Sequence, residues 1–131
     1  MKPAALALLV ASLATATAAT AAAQNDTLRV RTAGDLADLC GASRTDPTGP
    51  ERINFCHGYT QGALEMEMKR ERAVKKPLIC ITSPAPTRAA TVDEFVKWVR
   101  AIPAHATQPA TDGFFQFMSE RFPCPKTDPS K

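Results

Sequence analysis

The sequence predicts a small all-α domain of four helices stapled by two disulfides. Three observations carry that prediction. Apolar residues recur at helical spacing in four segments, and no convincing period-2 strand interrupts them. The chain has 131 residues, the length of one domain. It also has four cysteines behind an export signal, and an even count in an exported chain reads as a disulfide framework. The formal charge of +3 is small and forms no nucleic-acid stripe, and 6% aromatics are too few for a base-stacking platform.

Residues 1–23 read as a secretory signal. Lys2 is the positive start, AALALLVASL from Ala4 to Leu13 the apolar run, and Ala21-Ala22-Ala23 the small residues a signal peptidase needs. The apolar run is shorter than the ~20 residues of a membrane span. No cysteine stands at the cleavage point, so neither a transmembrane nor a lipid anchor is expected. The mature chain is then Gln24 to Lys131, carrying +2, and the short Ala-rich signal points to a bacterial periplasm. Its large apolar residues are few for its length, so covalent help is expected.

Residues 24–31 form a polar leader, expected to be loosely held. The helical domain follows over 32–125, and 126–131 is a polar tail. Thr32 with Asp35 caps a first helix that carries Leu36, Leu39 and Cys40 and closes at Gly41. After a turn-rich loop, Thr48 with Glu51 predicts a capping box, and Pro50 suits the first turn. The second helix is expected from about Pro50 towards Arg70, with Ile53, Cys56, Tyr59, Thr60, Ala63 and Glu67 on one stripe. Gly58 and Gly62 lie one turn apart. Each costs a helix ~1 kcal/mol relative to alanine, so the pair predicts close approach of another backbone.

Pro77 ends that helical stretch, and Leu78 to Ile81 is a short extended run. Thr91 with Glu94 predicts the cap of a third helix carrying Val92, Phe95, Val96, Val99 and Ile102, stopped by Pro103. A last helix from about Ala110 to Phe122 presents Phe114, Phe117, Met118 and Phe122, and Pro123-Cys124-Pro125 ends it.

Four cysteines allow three pairings. Cys80 precedes the third helix and Cys124 follows the fourth, and these ends meet in an antiparallel hairpin. Cys40 and Cys56 likewise flank a hairpin turn. The expected pairs are Cys40–Cys56 and Cys80–Cys124. Their spacings fit no zinc motif, and Ile53 stands where a haem-attachment motif needs cysteine. No metal and no cofactor is expected. Cys56 and His57 are helix neighbours pointing about 100° apart, and His105 is the other histidine that could approach a cysteine. With the thiols paired and no nucleophile elbow, phosphate loop or HExxH motif, no catalytic residue is assigned and an enzyme is not expected. One charged stretch stands out: Lys69, Arg70, Arg72, Lys75 and Lys76, with only Glu71 among them. It suits a helix C-terminus, and it is the candidate contact surface for an acidic partner.

Taken in order, Leu39-Cys40, the run Cys56-His57-Gly58-Tyr59-Thr60-Gln61-Gly62, Leu78-Ile79-Cys80, the helix start Thr91 to Val96, and Phe122-Pro123-Cys124-Pro125 form a recognisable set. The set resembles the Rap/Tai immunity proteins of type VI secretion systems over about residues 33–125. The segment Cys80 to Thr91 is longer than the family's usual connection. The resemblance implies a helical periplasmic protein, often a homodimer, that binds a secreted peptidoglycan amidase and blocks its active site. Two other classes compete. One is an acid-stress holdase chaperone resembling the HdeA family, since protonating all 13 carboxylates would drive the charge strongly positive. The other is a helical bundle enclosing a small ligand among its Phe and Met residues.

Overall fold

The computed structural model describes residues 28–125. The signal, residues 24–27 of the leader and the tail lie outside the described residues. Five helices follow in order: α1 Ala33–Cys40, α2 Gly49–Val74, α3 Arg88–Ala101, α4 Pro103–Ala106 and α5 Ala110–Arg121. No strand forms among the described residues; two isolated bridges, Thr32 with Pro109 and Ile79 with Pro123, tie loop ends together. The domain is all-α as predicted, with α4 as a short addition.

The shortest of the expected helices is the hub. α1 has only eight residues, yet it touches all four other helices. Its first turn is closed from both sides: Thr32 Oγ1 accepts from Asp35 N at 3.1 Å, and Asp35 Oδ2 accepts from Thr32 N at 3.0 Å. That reciprocal box is the one the sequence predicts. Leu36 and Ala37 are buried in the core with Phe95, Phe114, Phe117 and Met118. Phe95 meets Phe114 and Phe117 edge-on, each at 5.5 Å between ring centroids, the arrangement ring quadrupoles favour. Gly113 is needed where α5 crosses α1, because a Cβ there would lie 2.7 Å from Ala33 Cβ.

Five local expectations change. Thr48 does not cap α2: its backbone sits at ψ 2° and its hydroxyl caps no amide. The 43–46 turn folds over the helix start instead, with Gly49 N donating to Asp46 O at 3.0 Å. A Cβ at Gly49 would fall 1.7 Å from Ser43 O, so only glycine fits. α3 begins a turn before the predicted Thr91, at Arg88, because Thr87 Oγ1 accepts from Ala90 N at 3.2 Å. Pro103 ends α3 but also starts α4, as its fixed φ and missing N–H allow at a first helical position. Gly58 and Gly62 meet no backbone; nothing within 4 Å would touch a Cβ at either. The described end of the leader is also packed: Leu28 and Val30 rest against the core, and Ala110 N donates to Arg31 O at 3.0 Å.

α2 is 26 residues, about 39 Å at 1.5 Å per residue, against about 12 Å for α1. Its first half is anchored by Ile53, Cys56 and Thr60. Its second half therefore runs past the hub, and what happens there defines the candidate site.

Candidate partner-binding surface

Both disulfides form as predicted. Cys40–Cys56 joins the end of α1 to α2 with Cα atoms 5.1 Å apart, and Cys80–Cys124 joins the segment before α3 to the segment after α5 at 4.8 Å. Cys80 N donates to Phe122 O at 2.8 Å beside the second bridge, so the chain from 79 to 80 is pinned to the end of α5. Residues 72 to 78, every one exposed, thus lie between two fixed points: the body of α2 and the stapled Ile79-Cys80.

The basic stretch occupies this tip. α2 continues one turn beyond the predicted Arg70, to Val74, and Lys75 ends it in the left-handed region at φ 55°, ψ 35°. Lys75 N and Lys76 N donate to Arg72 O and Glu71 O, which satisfies the last helical carbonyls. Glycine is the easy residue at such a position; a side chain there costs ~1 kcal/mol. Arg70 pairs with Glu67, and this pairing holds the Glu67 carboxyl below its ordinary range. Lys69, Arg72, Lys75 and Lys76 form no ion pair among the described residues. Exposed Val74 and Leu78 stand among them. The tip therefore combines unneutralised positive charge with accessible apolar surface.

Glu71 is the residue the sequence reading missed. It lies within the basic run but points inward, only 3% exposed, and its Oε2 accepts from Ile79 N at 3.4 Å. Its backbone and side chain together hold the turn from 75 to 79. A signal existed: the stripe through Ile53, Cys56, Thr60, Ala63 and Glu67 arrives at 71 after one more turn. The second missed feature is a groove between the second half of α2 and the segment 81–91, which no sequence periodicity could assemble.

The enzymatic candidates are placed elsewhere. All four cysteines are in disulfides. His57 is half-buried on α2. His105 stacks on Trp98 at 3.6 Å between centroids and meets Trp98 O through Nδ1 at 2.9 Å, so it faces an indole rather than a cysteine. Trp98 Nε1 donates to Glu120 Oε2 at 2.8 Å; hydrogen bonds from Gln116 and Trp98 hold the Glu120 carboxyl below its ordinary range. These contacts join α3, α4 and α5 structurally. No helix among the described residues is long and apolar enough to cross a membrane.

The described domain is thus an all-α scaffold with two disulfides and an exposed basic tip. Residues 32–124 match the Rap1a immunity proteins, and the chain belongs to that family. Searches of curated proteins and of solved structures returned no match.

Proposed function

We propose that this protein acts in the periplasm, where it binds a type VI secreted peptidoglycan amidase and blocks it, protecting the cell that makes it. The observation that carries this reading is the family match, which spans the whole stapled domain. The scaffold supports it physically. Binding costs less when the surface is already ordered, and here Glu71 and the Cys80–Cys124 bridge hold the tip before any partner arrives. Blockage by occupancy needs no catalytic group on the inhibitor.

In this reading the surface formed by Lys69, Arg70, Arg72, Lys75 and Lys76 meets acidic residues of the effector. Lys75 supports the assignment, because it keeps a cation where glycine would be easier. Lys75→Gly is expected to stabilise the free protein by about 1 kcal/mol in urea unfolding. Reversing Lys69 and Arg72 to glutamate is expected to slow association by about tenfold at low salt and to flatten its salt dependence, as stopped-flow mixing would show. The homodimer implied by the resemblance is part of this reading, and sedimentation analysis counts the copies.

The deciding experiment exports candidate type VI amidases, starting with any encoded beside this gene, to the periplasm of a sensitive host. Lysis is followed with and without this protein. Protection, with a stoichiometric complex on co-purification, is the expected result. Lysis unchanged by the protein, and no complex with any candidate, would overturn the assignment.

A further inference from the structure

The groove beside α2 has a volume of about 250 Å³. Met118 of α5 and Phe122 just after it line it, with Leu64 and Met68 of α2 and Ile81 and Pro86 of the segment before α3. Met118 is almost wholly buried, so the groove is an opening that shows the edge of the hydrophobic core. An apolar trough with a polar rim has the anatomy of an anchor pocket, where one large side chain of a partner is desolvated.

The rim says which partner. On α2 it carries Gln61 and Glu65, hydrogen-bonded to each other at 2.8 Å. Opposite stands Arg88, the first residue of α3, which forms no ion pair among the described residues. The α3 N-terminus adds positive potential at the same place. Met68 also lines the hollows beside Lys69, Arg72 and Lys75, so the groove opens onto the basic tip. Around the continuous surface, four cations face one exposed carboxylate, Glu65.

We propose that this groove receives a leucine-sized or aromatic side chain carried on an acidic loop of the bound effector. Arg88 on one side and the basic tip on the other meet the flanking carboxylates. The proposal rests on the effector-binding reading above and adjoins the same basic tip, but the groove lining and Arg88 are its own residues.

The test uses the chain from Gln24 onward, labelled with ¹³C at its methionine methyls. The probe is an acetylated, amidated peptide with one tryptophan between two pairs of aspartates. Its controls replace the tryptophan by alanine, or the aspartates by lysines. Expected are saturable shifts of Met68 and Met118, larger than any shift of Met66, which lines only the hollow beside Lys69 and Arg72, and binding at least about tenfold weaker for the lysine peptide. Arg88→Glu should weaken the aspartate peptide about tenfold, and Ala85→Trp should block the groove. Both positions are exposed, and acidic charge suits a helix N-terminus, so both variants should keep the parent's near-UV dichroism. No shift of Met68 and Met118, equal binding of the lysine peptide, or occupation by decanoate in preference to the peptide would overturn the proposal. Wild-type strength in both variants towards a cognate effector would also overturn it and leave the immunity reading intact. Peptide bound in the groove, with no amidase bound or neutralised, would leave the groove standing and remove the amidase reading.

Discussion

Asp35 shows how one side chain can decide a helix. Its carboxylate accepts from the backbone N–H of Thr32 and of Arg31, and these bonds hold its pKa below the ordinary carboxylate range. A depressed folded-state value means that the stabilisation is complete above the unfolded carboxylate pKa. It is lost as pH falls through the folded value. Asp35→Ala is therefore expected to cost about 1 kcal/mol near pH 7. The gap from the parent should narrow in urea unfolding repeated at about pH 3. Glu71 works by a different route. Replacing it with alanine leaves Ile79 N without its side-chain acceptor, a change worth about 1–3 kcal/mol. Hydrogen exchange should show faster opening at Ile79 than at Phe95.

Among the helices, glycine has opposite meanings on α2 and α5. Gly62 is exposed and a Cβ there would meet nothing, so Gly62→Ala should stabilise the protein by up to ~1 kcal/mol through helix propensity alone. Gly113 lies at the α1–α5 crossing, and Gly113→Ala should destabilise by about 1–3 kcal/mol through overpacking against Ala33. Thermal unfolding of the two variants should shift in opposite directions. The sequence suggested the wrong role for Gly58 and Gly62, since helical spacing shows that two glycines share a face but not what lies opposite. The crossing at Gly113 left no mark in the pattern, because a close approach between elements has no local periodicity.

For the whole molecule, the two bridges do what a modest core cannot do alone. The 44-residue separation of Cys80 and Cys124 corresponds to about 4 kcal/mol in the loop-entropy model, against about 3 kcal/mol for the 16-residue separation of Cys40 and Cys56. Net stabilities of small domains are only about 5–15 kcal/mol. Replacing Cys80 and Cys124 together by serine should lower Tm by at least about 15 °C. It should also release the segment from 79 to 80 from α5. A double variant at Cys40 and Cys56 should lose less in the same scan, and calorimetry ranks the two.

The sequence by itself determined the helical class, the α1 cap and the Cys pairing, because periodicity, capping chemistry and the chain order of cysteines are local or nearly local facts. It also located the basic run. It misplaced the start at Thr91 and predicted at Thr48 a side-chain cap that does not form, since the same residue types can cap a helix or sit beside one, and the choice depends on the neighbouring loop. Only the tertiary structure turned Glu71 inward, paired Arg70 with Glu67, stacked His105 on Trp98 and set α2 against the 81–91 segment to open a groove. These features require residues distant in sequence to meet, and the energies that bring them together come from packing around α1 and from two covalent bridges rather than from any segment's own preference.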